Sequence, residues 1–467
     1  MLTKSRRVII VLSLAALLPV GWVLNPRVTQ AQAAGSPRFL LGVCTHFSQG
    51  KGVVEMNLTN ISRAGINAIR DEVPWGALER EKGRLEMPVQ FDAYVRRAAA
   101  KGLNVLLILD YANRFYDDGD RPRSPEAIEG FCRYAEFVVR HFGKDVRLYE
   151  IWNEWDIGIG LPARYNQGGS AGDYAKLLKA VYPRIKAIDP NVTVIAGAST
   201  SGAVKRGWLE EVVKRGALQS CDAISIHGYN YGESFPQRGP EACAAWITNV
   251  QQMLRGYNQG EDVPFYVTEM GWPTHAGRAG TDPQLSASYL ARLYLLARTS
   301  DSFKGLWWYD FQDDGWNPQY NEDNFGLVRP DLTPKPAYHV LTDISQLISK
   351  GRYAGCVATD DEHLRILRFT REGRDYWTVW SDDDRERQVI LETPSPDRFI
   401  MVRPLGHDPY LSEWGYRDWT ARASEFAANQ LSLVVGHRPF MISGDLAGVS
   451  VVQVVPRPRR VEEARER

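Results

Sequence analysis

The 467-residue sequence carries no excess of charge of either sign. Its 56 Lys and Arg balance 56 Asp and Glu, and neither half holds the surplus. A nucleic-acid binder needs a basic face that displaces counterions from phosphates, so that class is excluded. Cysteine is scarce as well. Cys44, Cys132, Cys221, Cys243 and Cys356 form no CxxC pair and fit no zinc template. They read as small buried hydrophobes, with at least one thiol left free by their odd number. Cofactor signatures are missing too. No GxGxxG follows the first strand-like run, there is no P-loop and no HExxH, and the acidic stretch from Asp313 to Asn324 lacks EF-hand spacing. No cofactor and no bound metal are therefore expected. Gly168–Gly172 matches GxSxG, but it lies in a polar loop and not at a strand-to-helix elbow. After residue 24 no apolar run is long enough to span a bilayer.

What is present is an ordinary globular composition, 44% hydrophobic and 24% charged, with a high count of 14 Trp and 21 Tyr. Such rings serve as core filler or as the flat, polar-edged walls of a sugar cleft, and composition does not choose between them. Residues 1–34 read as an export signal. Lys4, Arg6 and Arg7 precede an apolar run from Val8 to Leu24, and Ala31-Gln32-Ala33 supplies an A-x-A cleavage site. The mature chain is expected to be secreted, or periplasmic and held at the cell envelope, with no stable membrane insertion after cleavage. An uncleaved anchor is the rival reading, weakened by Pro19 and Gly21 inside the run.

From residue 39 to 350 short apolar runs alternate with amphipathic stretches. Strands are predicted at 39–47, 66–75, 104–111, 146–155, 192–200, 222–230, 264–272 and 303–313. Helices are predicted at 91–101, 125–142, 174–188, 208–215, 240–257, 283–298 and 336–349. Ser124-Pro125 and Asp282-Pro283 are start signals. Eight strand–helix repeats predict an α/β fold, a (β/α)8 TIM barrel over 35–350. The continuously apolar VLLIL at 105–109 suits a strand covered on both faces. After Lys350 the helical period stops. LRILRF (364–369), YWTVW (376–380), RQVIL (387–391), LSLVV (431–435) and VSVVQVV (449–455) alternate between turn residues, which predicts a C-terminal β-sandwich over 351–455. The tail at 456–467 is charged and reads as disordered.

Barrel enzymes work at the C-terminal ends of their strands. The fourth predicted strand ends in Trp152-Asn153-Glu154-Trp155, the seventh in Thr268-Glu269-Met270-Gly271-Trp272. A glutamate at a strand end often only accepts a hydrogen bond. Two of them, both after apolar strands and both ringed with Trp, point instead to cleavage of a glycosidic bond. There one carboxyl protonates the leaving oxygen, and the other attacks the anomeric carbon or activates water. The acid must be neutral and its partner charged, so their surroundings must push the two pKa values apart. Candidate cleft walls are Trp75, Tyr111, Trp155, Tyr231, Trp272 and Trp316.

Over most of residues 39–350 the chain resembles the clan A retaining glycoside hydrolases, family 39-like and cellulase-like members above all. The resemblance rests on His46 in GVCTHF, RDEVPW with Arg70 and Trp75, WNEW with Asn153 and Glu154, SIHGYN with His227 and Tyr229, VTEMGW with Glu269, and WWYDFQDDG from Trp307. It implies Glu154 as acid/base and Glu269 as nucleophile. Asn153 would bind the sugar 2-hydroxyl, Arg70 would keep Glu269 ionised and Tyr229 would donate to it. Trp308 would floor the central subsite, with Trp307 as the alternative if the strand parity is reversed. His46 and His227 would line the same pocket or be satisfied core histidines. The expected activity is a secreted retaining β-glycosidase acting on a polysaccharide by double displacement, endo-acting if the long loops leave a groove and exo-acting on oligosaccharides if they close a pocket. A non-catalytic carbohydrate-binding protein on this scaffold is the competing class, and both glutamates speak against it. An esterase lacks a placed Ser-His-Asp set. For the sandwich, with no aromatic platform motif, a bracing role is expected.

Overall fold

The computed structural model describes residues 38–383, 385–395, 398–406, 419–422 and 429–457. Residues 1–34, expected to be an export signal, and all but the first two residues of the charged tail lie outside them. Eight parallel strands close in sequence order: β1 Leu40–Cys44, β2 Ala68–Glu72, β3 Asn104–Leu109, β4 Leu148–Ile151, β5 Thr193–Thr200, β6 Ala223–His227, β7 Phe265–Met270 and β8 Phe303–Trp308. The barrel shuts where β8 pairs with β1, from Leu40 opposite Gly305 to Val43 opposite Trp308. Helices follow as expected at Pro125–Phe142 and Pro240–Tyr257. The first is started by Ser124, whose hydroxyl accepts from Ala127 N, and by Pro125 in the first turn. Its Ala127, Phe131, Tyr134, Val138 and Phe142 repeat at helical spacing and are buried. The helix Val54–Arg63 is absent from the sequence expectation because its start, at Val53, carries no capping side chain. Trp75, expected to end a strand, instead opens a one-turn helix, Trp75–Leu78.

Strand parity decides which side chains reach the axis. One face of the strands packs outward against the helices. The other fills the axis with Cys44, Ala68, Leu106, Leu148, Ile195, Ala223, Tyr266 and Trp307. Trp307 plugs this interior only because β1 has a glycine opposite it: a Cβ on Gly42 would stand 2.3 Å from the indole.

After the helix Pro336–Lys350 the chain turns to antiparallel sheet. β9 Arg352–Cys356, β10 Leu364–Arg371, β11 Arg374–Ser381, β13 Phe399–Pro404, β14 Trp419–Arg422 and β16 Phe440–Gly444 form a six-stranded sheet. β12 Arg387–Glu392, β15 Gln430–Val435 and β17 Ser450–Pro456 form a three-stranded one. Ile366, Trp377, Val379, Val389, Leu391, Ile400, Leu431 and Ile442 fill the space between them, which makes a sandwich. Leu367, Phe369, Tyr376, Trp380 and Leu405 join the barrel's own apolar core instead. The helix Pro283–Ala297 lies under this joint, and every residue from Ser286 to Ala297 is buried. Glu241 pins the joint by accepting from Arg292 Nε at 2.9 Å and from Trp380 Nε1 at 2.8 Å.

Candidate active site

Two irregularities in the strands build the site. In an unbroken strand Asn153 and Glu154 would point to opposite faces. Beyond β4, Trp152 and Glu154 take left-handed φ of 70° and 46°, a conformation that non-glycine residues adopt rarely. Both Asn153 and Glu154 thereby face the barrel mouth. In β7, Phe265 and Val267 pack outward and Tyr266 inward, yet Met270 is outward again. The three-residue step from Val267 to Met270 coincides with a register shift against β8, a bulge that swings Glu269 inward.

Arg70, third residue of β2 and 3% exposed, organises the floor of the mouth. Its Nη1 donates to Glu269 Oε1 at 2.6 Å, its Nη2 to Asn153 Oδ1 at 2.9 Å, and its Nε to Glu150 Oε2 at 2.8 Å. Glu150 is fully buried on β4 and also accepts from Ser225 Oγ at 2.6 Å. Tyr229 donates to Glu269 Oε2 at 3.0 Å. His227 Nδ1 lies 2.7 Å from Glu154 Oε1 and 3.4 Å from Glu269 Oε2. The ligand atoms of Glu154, His227 and Glu269 all fall within 4.8 Å of one another.

The two glutamates are electrostatically unlike. Burial is the largest influence on both and favours the neutral form. For Glu154 burial wins over the opposing contact with His227, and the carboxyl titrates above its ordinary value. For Glu269 burial is overcome by the charges of His227 and Arg70 and by the hydrogen bonds from Arg70 and Tyr229, and the carboxyl titrates below it. His227 is raised, because the two carboxylates outweigh its burial. His227 Nδ1 and Glu154 Oε1 are in hydrogen-bond contact at 2.7 Å, so the two groups influence each other's titration. This mouth can hold one neutral and one charged carboxyl side by side.

His46 stands beyond β1, with Nδ1 2.8 Å from Asp314 Oδ1 and 3.8 Å from Asp310. Burial would lower it, but the bond to Asp314 and the charges of Asp310 and Asp314 push it up to about 9. His46, Asp310 and Asp314 bring three possible metal ligands together, as do Glu154, His227 and Glu269. Each cluster already contains a fixed cation, Lys51 at 2.6 Å from Asp314 in one and Arg70 in the other.

Arg70, Asn153, Glu154, His227, Tyr229 and Glu269 thus meet in one mouth, with His46 at its edge. Trp155, a candidate wall, is fully buried and donates to Ser170 O at 3.2 Å, and three further tryptophans expected in the mouth do not reach it either. Trp308 is 1% exposed, packs outward against Trp272 and donates to Phe325 O at 3.1 Å. Trp272 is fully buried and donates to Arg238 O. Trp75 is fully buried, stacked on Tyr116 and bonded to Glu79. All three are packing residues. Trp307 faces the barrel interior with Tyr309 packed against the same cluster, while Trp308 faces outward, so the aromatic at the mouth is Tyr309, two residues beyond Trp307. Its ring contacts His46 and Tyr229, and its hydroxyl donates to Glu322 at 3.1 Å. Glu150 also escaped sequence reading. The signal was there: a charged residue at the same strand parity as Leu148, inside an otherwise apolar strand. Glu72, at the end of β2, is a third carboxyl by the mouth, pushed up to about 7 by burial and by Asp71.

The family model described as Cellulase (glycosyl hydrolase family 5) matches residues 31–309. No curated protein matches the sequence. Among solved structures, a family 39 glycoside hydrolase from Bacteroides cellulosilyticus WH2 is similar with a TM-score of 0.69 at 25% identity, over 87% of this chain and 81% of that one. A monomeric beta-xylosidase from Caulobacter crescentus CB15 shares the fold at 15% identity and TM-score 0.60, over 88% and 97% of the two chains. A GH30 endoxylanase from Clostridium papyrosolvens C71 does so at 12% identity and TM-score 0.56, over 88% and 98%.

Proposed function

The chain belongs to the cellulase family, glycosyl hydrolase family 5, and is a glycoside hydrolase; from that premise we propose that it is a retaining β-glycosidase acting inside a polysaccharide chain, with Glu269 as nucleophile and Glu154 as acid/base. The observation that carries this reading is the opposed titration of two carboxyls whose oxygens lie within 4.8 Å. That spacing suits direct attack on the anomeric carbon. The 4.8 Å limit holds for one oxygen of each carboxyl; between the carboxyl groups themselves direct attack expects about 5–5.5 Å and an interposed water about 6.5–9.5 Å. Ionised Glu269 attacks C1 while Glu154 gives its proton to the departing oxygen. Glu154 then takes a proton from water, which attacks C1 from the face the leaving group vacated and releases Glu269. Two inversions leave the configuration unchanged. Asn153, fixed by Arg70 and by its own bond to Tyr111 Oη at 3.1 Å, reads a hydroxyl beside C1. Endo action is favoured by the open rim after β8, where Trp316 and Tyr320 stand 65% and 51% exposed as platforms for sugars beyond the central one.

Proton NMR of the first product released from xylan and mixed-linkage β-glucan tests the stereochemistry, and the β anomer is expected. Azide added to Glu154→Ala should give a β-glycosyl azide and azide added to Glu269→Ala the α-azide, because the ion enters from opposite faces. An initial α product, or the same azide anomer from both variants, would sink the role assignment.

A further inference from the structure

The sandwich has been treated so far as a brace, but it walls a second cavity. A pocket of about 820 Å³ lies between the loop after β6 and the β12–β17 side of the sandwich. That volume falls in the range of small-molecule sites. The loop is the one that carries Tyr229 and Tyr231 to the catalytic mouth, so the pocket opens from the same end of the barrel. Resting on the endo-glycosidase reading above, we propose that this pocket is a distal subsite for the polysaccharide, with Phe235 as its stacking platform.

Phe235 is 54% exposed. Exposure of one ring is ordinary by itself; here the ring also lines a cavity whose other wall is mostly polar. The facing wall offers Asp360, His363 and Arg385. Behind them Arg387 is 2% exposed and locked by Asp361 at 2.8 Å and Ser381 at 2.6 Å. Of the three facing groups, His363 is held by Asp382, with its Nδ1 2.8 Å from the carboxylate, while Asp360 and Arg385 stand exposed. One flat ring opposite carboxylate, imidazole and guanidinium groups matches a pyranose, which presents a C–H face on one side and hydroxyls around its edge. Protein partners favour larger, drier patches. β17 is an edge strand of its sheet, and it lines the pocket with Val451, Val452 and Val454 beside Gln453.

Affinity electrophoresis in native gels cast with xylan or with mixed-linkage β-glucan tests this in a Glu269→Gln background, so that the glycan survives. Phe235→Ala and Asp360→Ala should each weaken retardation about three- to tenfold, the loss of one stacking or edge contact. In the active enzyme, Phe235→Ala should lower the ratio of kcat/KM on the polymer to kcat/KM on an aryl glycoside by a similar factor. Retardation equal with and without Phe235, or absent from the parent protein on both glycans, overturns the subsite. So does concentration-dependent dimerisation that Phe235→Ala abolishes while glycan retardation stays the same, which assigns the pocket to a second copy of the chain. Hydrolysis that vanishes everywhere while retardation still depends on Phe235 would condemn the catalytic reading and leave the subsite standing.

Discussion

Replacing Arg70 with methionine keeps the length of its stem and removes the guanidinium. Three partners lose it together: Glu269, Asn153 and Glu150. Glu150 is 0% exposed and keeps only the Ser225 hydroxyl. Removing one member of a buried ion pair costs about 3–5 kcal/mol, because the survivor is left charged without compensation. Arg70→Met should therefore lose about that much stability at pH 7. Adding Glu150→Gln removes the orphaned charge, and the double variant should regain most of the stability. Activity should not follow. Glu269 titrates below its ordinary value in the folded chain, so its ionisation stabilises the fold above that ordinary value, and the contribution is lost as pH falls through the lowered one. Without Arg70 the carboxyl titrates higher, and the acidic limb of the kcat/KM profile on an aryl glycoside moves to higher pH in the single and the double variant alike. Unfolding at pH 7 and pH 5, paired with pH–rate profiles, separates the two effects. An acidic limb that stays in place in Arg70→Met, or returns when Glu150→Gln is added, would refute the claim that Arg70 holds the nucleophile ionised.

Tyr229→Phe removes one hydrogen bond to a charged carboxylate. At about 1.5–3 kcal/mol, kcat/KM should fall roughly ten- to a hundredfold with little change in melting temperature. Trp308→Ala should cost about 3–5 kcal/mol of stability as a core truncation, and Trp308→Phe less, with KM on an aryl glycoside within about twofold of wild type. A large KM change without a melting shift would restore Trp308 to the cleft. Tyr309→Ala should do the reverse, raising KM on the same substrate by roughly tenfold.

The barrel was legible because its signals are periodic and repeated: eight apolar runs, each followed by an amphipathic stretch, tolerate errors at any one boundary. Glu154 and Glu269 were legible because each follows an apolar strand where solvation alone would not place it, whereas Asn153 and Arg70 came only with the family resemblance. The tryptophans were not. Which of Trp307, Trp308 and Tyr309 reaches the mouth depends on strand parity, and a one-residue error moves a side chain to the opposite face. The bulge in β7 that presents Glu269 resets parity in the same way, and no turn residue in Tyr266–Met270 announces it. Trp75 and Trp272 follow strand ends, where the chain has already left the sheet and alternation no longer applies. Arg70's partner Glu150 was hidden by the opposite bias: inside a run that reads as core, one charge is easily taken for an interruption.

From Ser286 onward the helix Pro283–Ala297 has no wet side. One flank lies on the barrel and the other under the sandwich, so its sequence is committed to two neighbours at once. A chain cut after Lys350 would leave that second flank bare, sticky and prone to precipitate. The sandwich therefore cannot behave like a tethered module that a protease releases or that recombination trades between enzymes. The two parts should melt in a single transition and be inherited together, and any attempt to shorten this enzyme must redesign that helix before it deletes a strand.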